Sequence, residues 1–244
     1  MSEMAIRKLT FERGASRYAE GSCLVSAGHT KVLCTASVTE TVPDFLAGSG
    51  RGWLTAEYSM LPRSTVERKR RSSLSHPDSR SLEIQRLVGR ALRAAVETGY
   101  FGERTIVVDC DVLQADGGTR TAAINGGMLA LVDALLWMRS KAMISGIPLL
   151  RLVGATSVGL VDGTIALDLD YDKDSRASVD MNVVMDDEGR FVEVQGTAEG
   201  EPFERGMLDK FLDAATAGIR QVIAAQRAAL GDETLRQIGR AEAR

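Results

Sequence analysis

An α+β layer structure, with mixed β-sheets packed against helices, is the fold class this sequence predicts. Three observations predict it. Paired alternating apolar runs around short turn signals mark β-hairpins near both ends of the chain. Near the middle, an apolar β-branched run passes through a glycine turn straight into a long apolar helix. An amphipathic helix of period 3.6 closes the chain. The order is hairpin, strand, helix, strand, helix, hairpin, hairpin, helix, which is mixed rather than strictly alternating. Neither an internal repeat nor a low-complexity tract interrupts it.

The first hairpin is GSCLVSAGHTKVLCTASV, Gly21 to Val38. Two alternating runs flank Gly28-His29-Thr30, which places His29 in a solvated turn. A glycine-rich loop, Phe45 to Gly52, leads into a strand from Trp53 to Ser59; its glycines lack the spacing of a nucleotide loop. Leu61 to Ser75, LPRSTVERKRRSSLS, has no hydrophobic period. Arg63, Arg68, Lys69, Arg70 and Arg71 are opposed there only by Glu67, so a mobile basic loop is expected, either simply solvated or in contact with nucleic acid.

Arg80 lies just before a helix expected from about Ser81 to Thr98. Ile84, Leu87, Val88, Leu92, Ala95 and Val96 form its core face. Arg86, Arg90 and Arg93 form a second stripe, which adjoins the basic loop and suggests one positive surface.

The central stretch is VVDCDVLQADGGTRT, Val107 to Thr121. Its first half reads as a buried strand that carries Asp109 and Asp111. Ala115-Asp116-Gly117-Gly118 breaks the strand. From Thr119 a helix begins, with Ile124, Met128, Leu131, Val132 and Leu135 on one face. A helix start offers unpaired N–H groups and the positive end of the dipole, which favours an anion. Gly118 lets the backbone approach closely, Thr119 adds a hydroxyl, and the planar fork of Arg120 can grip two phosphate oxygens. The spacing is not that of a Walker loop.

A linker, Arg139 to Leu152, contains Gly146 and Pro148 and marks a weak boundary. Two more hairpins follow: Thr156–Val161 with Thr164–Tyr171 around Asp162-Gly163, and Val179–Met185 with Arg190–Gln195 around Asp186 to Gly189. Between them Asp170, Asp172, Asp174 and Asp180 cluster. Such carboxylates can hold a hard divalent ion, can supply a proton to a leaving oxygen, or can be a polar connection and nothing more. The acidic glycine-containing stretch Gln195 to Phe203 is ambiguous in the same way. The final helix spans about Arg205 to Leu230, with Leu208, Phe211, Leu212, Ala215, Ile219 and Val222 facing inward; a polar tail, about 231–244, is expected to fray.

Composition narrows the classes. The 244 residues, 44% hydrophobic and 26% charged, suit one large domain or two fused small ones; we take 1–244 as a single domain. A net charge of −3 supplies no global field for nucleic acid, so any RNA site must be a local patch. Cys23, Cys34 and Cys110 sit in apolar contexts without metal spacing and read as buried free thiols in a reducing cytoplasm. With only His29 and His76, a histidine metal site is not expected. The N-terminus has no apolar signal core, no run approaches membrane-spanning length, and a membrane is not among the expected partners.

These segments also carry a resemblance. AEGS, TKVLCTASV, GWLTAEYSMLPRST, LEIQRLVGRALRAAV, VDCDVLQADGGTRTAA, DMNVVM and VEVQGTAEGEPF, in this order from about Arg7 to Leu230, resemble ribonuclease PH, the phosphate-dependent exoribonuclease family that trims tRNA 3′ ends. The resemblance implies that Gly118, Thr119 and Arg120 are the phosphate-binding tripeptide and that Arg80 also binds phosphate. It makes Arg63, Arg68 and Arg71 RNA-binding arginines of the loop associated with tRNA. It marks Asp174 and Asp180 as the acidic pair beside the phosphate, catalytic and metal-binding. Asp180 is our choice to protonate the leaving oxygen, or to bind the metal that does that work, with Asp174 the metal partner. The resemblance further implies magnesium as cofactor and inorganic phosphate as co-substrate. The partners would be the tRNA 3′ end and other structured RNA such as rRNA, with nucleoside diphosphates as products and a reverse reaction that adds nucleotides. The assembly implied is a cytoplasmic homohexamer built as a trimer of dimers.

There are departures. The approach to Arg80 is Ser75-His76-Pro77-Asp78-Ser79 rather than glycine-rich, and the loop is one residue shorter. The N-terminus is short, the polar tail is extra, and Asn125-Gly126-Gly127 replaces a less glycine-rich helix segment. A non-catalytic RNA-binding ring subunit, the alternative reading, would not need Arg80, Thr119, Arg120 and both aspartates.

Overall fold

The computed structural model describes residues 4–71 and 78–238. Its nine strands are β1 (Leu9–Arg13), β2 (Gly21–Ala27), β3 (Thr30–Thr39), β4 (Trp53–Met60), β5 (Thr105–Gln114), β6 (Val153–Val161), β7 (Thr164–Leu167), β8 (Ala177–Asp186) and β9 (Phe191–Ala198). Its α-helices are α1 (Ser79–Arg93), α2 (Thr119–Ser140), α3 (Tyr171–Arg176) and α4 (Arg205–Leu235).

One sheet runs β1-β2-β3-β5-β4 and the other β7-β6-β8-β9. All pairs are antiparallel except β4 with β5. Because α1 lies between β4 and β5 in sequence and packs on β4, this parallel pair is joined by a helical crossover. The expected α+β class is the observed one.

Helix α2 lies between the sheets, touching β2, β3 and β5 on one side and β6 on the other. The expected inward face, Ile124, Met128, Leu131, Val132 and Leu135, is fully buried, but so are Ala123, Leu129 and Ala130. A single apolar face was the wrong expectation, because a sheet covers each side of this helix. The expectation that no run could span a membrane also needs correction. Helix α2 is long and apolar enough by length and composition, yet 83% of its most apolar window is buried inside the protein, so it is a core helix.

Gly126 explains part of the glycine-rich departure. A Cβ there would stand 2.7 Å from Val25 Cγ1 and 2.9 Å from Cys34 Sγ, so only glycine lets α2 sit this close to β2 and β3. The adjacent Asn125 acts as a polar cross-link to the second sheet. Its Nδ2 donates to the Ala155 carbonyl at 2.9 Å, and its Oδ1 accepts from the Ala155 N–H at 2.8 Å. All three cysteines are buried free thiols, and burial pushes the Cys23 thiol up to about 12, which keeps it protonated and unreactive.

Four boundaries differ from expectation for local reasons. Helix α1 starts earlier, at Ser79, because Asp78 caps it, accepting from the Arg80 N–H at 3.2 Å and the Ser81 hydroxyl at 2.7 Å. It ends at Arg93 rather than near Thr98; Val96 leaves to pair with Leu149, and a short 3-10 turn buries Phe101. Strand β7 stops at Leu167, because Asp168 takes a left-handed φ of 52°. At the far end, α4 is broken at Gly231 (φ 74°), close to the expected end. The chain then continues to Ile238, which bridges Ile147, and Gln237 accepts from Arg139 at 2.9 Å. The tail therefore does not fray at Gly231; residues 239–244 lie outside the described part.

Candidate active site

The turn between β5 and α2 is fixed from three directions. Gly117 and Gly118 both take left-handed φ, 70° and 62°, and Gly118 is the N-cap of α2. Thr30, at the start of β3, receives the Asp116 N–H at 2.9 Å and donates its hydroxyl to the Gly117 carbonyl at 2.6 Å. Arg7 reaches the Asp116 carbonyl with Nη1 at 2.7 Å and holds both Asp168 oxygens with Nε (3.0 Å) and Nη2 (2.8 Å). Asp168 is 7% exposed, so this is a largely desolvated bidentate pair, the geometry in which an arginine–carboxylate contact is strongest. Third, a Cβ on Gly117 would lie 2.5 Å from the Leu169 carbonyl oxygen, so the segment leading into α3 rests directly on the turn.

What the turn presents is a row of α2 N–H groups, the Thr119 hydroxyl and the Arg120 guanidinium. Thr119 is 9% exposed, and its Oγ1 accepts from the Tyr58 phenol at 2.8 Å. Burial raises the Tyr58 phenol, against the Thr119 hydrogen bond and the nearby charges of Arg80 and Arg120, so the phenol stays protonated. Arg120 is only loosely held, 3.7 Å from Glu83 of α1.

Around this turn opens a cleft of about 670 Å³. Arg80, Gly118, Thr119, Arg120, Asp174 and Asp180 all line it, so every phosphate-site and acidic-pair residue singled out in the sequence faces one space. They arrive from α1, the start of α2, α3 and β8.

The four-aspartate cluster sorts itself. Asp170 caps α3, accepting from the Lys173 N–H at 2.9 Å, and Asp172 pairs with Arg176 at 2.8 Å on the surface. Asp174 and Asp180 are left to the cleft. Loss of solvent and the neighbouring Asp180 push the Asp174 carboxyl upward; Arg80 and Arg120 oppose this, and Glu199 adds to it. Among the described residues no group of three or more His, Cys, Asp or Glu side chains stands in metal-binding array.

The basic loop is less central. Arg63, Arg68 and Arg71 are exposed and do not line the cleft. Arg71 instead lines an adjoining depression of about 330 Å³ with Lys69, Arg70 and Asp78. Lys69 faces both spaces, so the loop continues the positive side of the cleft outward. Residues 72–77, which include most of the altered approach to Arg80, lie outside the described residues. The arginine stripe of α1 is not one free surface. Arg90 pairs with Glu193 (Nε to Oε2, 2.9 Å), while Arg93 stacks 4.8 Å over Trp53 and donates to the Leu54 carbonyl.

Sequence reasoning missed Arg7, Thr30, Tyr58 and Asp168, which hold the turn, and Thr65, Tyr171, Asn182 and Thr197 in the cleft wall. Glu199 sits in the ambiguous acidic stretch; only its place before a helix signalled it.

Comparison with known proteins gives the same picture. Residues 5–136 match the profile of domain 1 of the 3′ exoribonuclease family, and residues 151–218 match domain 2 of that family. Ribonuclease PH of Corynebacterium glutamicum (strain R) is 54% identical over 227 residues, covering 93% of each chain. Among solved structures, the Archaeoglobus fulgidus exosome with RNA bound to the active site superposes with a TM-score of 0.77 at 20% identity, covering 91% of this chain and 89% of that one. An archaeal exosome core gives 0.73 at 19% identity, covering 91% and 87%. At such identities these two likenesses speak for the fold.

Proposed function

The chain belongs to the ribonuclease PH family of 3′ exoribonucleases, and from that premise we propose that it is a phosphorolytic 3′-to-5′ exoribonuclease that trims tRNA precursors. It uses inorganic phosphate to release nucleoside diphosphates. The observation that carries this reading is the convergence of Arg80, the Gly118-Thr119-Arg120 helix start and two carboxylates on one cleft.

The α2 N-terminus, Thr119, Arg80 and Arg120 bind phosphate and aim one oxygen at the last phosphodiester of the RNA. That oxygen bonds to phosphorus as the 3′ oxygen of the preceding nucleotide leaves. The products are a nucleoside diphosphate and a chain shortened by one unit with a free 3′ hydroxyl. The arginines face the charge that builds on the reacting phosphorus. Since the bond energy is kept in the diphosphate, the reverse polymerisation also runs.

Magnesium fits the donors present. It is commonly held by one or two carboxylates and completed by substrate phosphates and water, and Asp174 and Asp180 offer such a hard oxygen pair beside the phosphate site. When bound, it would neutralise phosphate charge. From sequence alone, Asp180 is the choice to protonate the leaving oxygen or to bind the metal that does that work. We assign the proton instead to Asp174, which lines the cleft with Arg80 and Arg120 and whose carboxyl is pushed upward by lost solvent and the neighbouring Asp180; Asp180 keeps the metal-binding role.

Arg63, Arg68 and Arg71, exposed beyond the cleft, contribute RNA affinity at a distance from the chemistry. We take residues 1–244 as one domain, supported by one large hydrophobic cluster that runs through both sheets. The subunits form a homohexamer, a trimer of dimers; Phe191 and Val194, exposed on the edge strand β9, suit a subunit contact. Buried reduced thiols suit the cytoplasm.

The test is a tRNA with a 3′ extension incubated with and without phosphate. Nucleoside diphosphates formed only with phosphate are expected. Monophosphates formed without phosphate would overturn the reading.

A further inference from the structure

We propose that Tyr58 is a positioning residue that turns the Thr119 hydroxyl into a one-way donor to the anion in the cleft. The inference rests on the phosphate-binding reading of the α2 N-terminus and deepens it. Tyr58 stands on β4, on the sheet face covered by helices, and is 4% exposed. Its phenol oxygen lies 2.8 Å from Thr119 Oγ1, and among the described residues neither hydroxyl has another hydrogen-bond partner.

The direction of that bond decides what Thr119 offers. Each hydroxyl has one proton and can also accept. A phenol is the stronger donor and an aliphatic alcohol the better acceptor, so the proton between the oxygens belongs to Tyr58. Burial keeps the phenol protonated, which removes the alternative of a phenolate accepting from Thr119. With one lone pair engaged by Tyr58, Thr119 has its own proton left over, and the cleft that Arg80 and Arg120 also line opens beside it. A chain of two hydroxyls also strengthens the terminal donor, because each bond polarises the next. A lone threonine could point its proton toward the buried side; the tyrosine's own proton occupies that direction and disfavours it.

The test is calorimetric titration of inorganic phosphate into the full-length chain, together with the kinetics of phosphate and RNA. For Tyr58→Phe, which removes one oxygen, we expect phosphate affinity to fall about tenfold, in the range for loss of one neutral hydrogen bond. The KM for phosphate should rise with it, while kcat, the KM for RNA and Tm stay near wild type. Thr119→Val should lose as much, and the Tyr58→Phe/Thr119→Val pair should be no worse than Thr119→Val alone. Additive losses, or a Tyr58→Phe variant with unchanged phosphate affinity, would overturn the proposal.

Should Tyr58→Phe fold poorly, a chain with 3-fluorotyrosine at position 58 keeps the shape and strengthens the donor. Below the phenol's titration it should bind phosphate more tightly, and no gain counts against us. Direct binding separates this inference from the functional reading. Phosphate binding that depends on Tyr58 while products are monophosphates sinks phosphorolysis alone. Binding that ignores Tyr58 in a phosphorolytic enzyme sinks this proposal alone, and a wild-type chain that binds no phosphate sinks both.

Discussion

Gly117→Ala should damage both stability and turnover, and Gly163→Ala supplies the control that separates the causes. Both glycines hold left-handed φ, 70° at Gly117 and 75° at Gly163. Each alanine therefore bears the left-handed penalty, about 1–2 kcal/mol. At Gly163 nothing lies within 4 Å of the new Cβ, so the penalty stands alone. At Gly117 the Cβ would meet the Leu169 carbonyl oxygen at 2.5 Å and the Asp170 carbonyl carbon at 2.6 Å, both backbone atoms that cannot rotate aside. Overpacking of this kind adds about 1–3 kcal/mol. For a chain of this size a kilocalorie shifts Tm by about 2–4 °C, so scanning calorimetry should find a fall of about 2–8 °C for Gly163→Ala and a larger one, about 4–20 °C, for Gly117→Ala.

The displaced segment also carries the chemistry. The Asp174 N–H is bonded to the Asp170 carbonyl at 2.9 Å, so pushing Asp170 away moves Asp174 relative to Arg120. Misplacement by about 1 Å costs on the order of a hundredfold in rate. Phosphorolysis of a short oligonucleotide, assayed well below both transitions, should show that loss for Gly117→Ala and full turnover for Gly163→Ala. Equal Tm shifts with equal turnover would refute the claim that the α3 approach rests on the glycine turn.

Other expectations follow from the same geometry. Arg120→Ala should cut turnover by about 2–4 kcal/mol of barrier while the fold survives, since one charge-assisted contact to the reacting anion is lost; near-normal turnover at saturating phosphate would remove Arg120 from the site. The Arg68→Ala/Arg71→Ala pair should raise the KM for tRNA and flatten its salt dependence while leaving a short oligonucleotide almost unaffected; equal loss of kcat on both substrates would move the loop into the active centre. Asp174→Asn and Asp180→Asn should each lower turnover strongly, with the double variant little worse, and added magnesium should partly rescue Asp180→Asn alone. Rescue of Asp174→Asn instead would return the proton to Asp180. On β5, Asp109 is raised by burial and by Glu57 and Asp111, so its ionised form weighs against folding. Its penalty is present above its folded-state titration and is lost as pH falls through it. Asp109→Asn should therefore raise Tm at pH 8 and have no such effect near pH 4; a lower Tm at pH 8 would show that the carboxylate is stabilising.

The parts of this fold that were legible in the sequence are those with a short-range cause. Asp162-Gly163 and Gly28-His29 announce hairpins because their backbone angles suit tight turns, and the helical period of Arg205 to Leu230 announces its buried face. The glycine turn and Arg120 were legible because a strand, two glycines and a helix start are contiguous. Strand β1 was missed because five residues on a sheet edge carry little pattern. The six-residue α3 was missed because its aspartates read as ligands, although Asp170 is a cap. Above all, Arg7, Thr30 and Asp168 were invisible: their partners are fixed by the packing of two sheets around α2, and no local composition records a contact between positions 7 and 168.

That last contact sets an order in time. A chain made from its N-terminus exposes Arg7, Thr30 and the glycine turn long before Asp168 and Leu169 leave the ribosome. Until they do, Arg7 lacks its carboxylate and Gly117 lacks the segment that rests on it, whatever the state of the first sheet. Contacts of such sequence separation form late, after the loops between them have closed. The anion-binding turn therefore matures only when the second sheet docks, and a nascent or truncated chain ending in the linker after Ser140 holds the sequence of that turn without its shape.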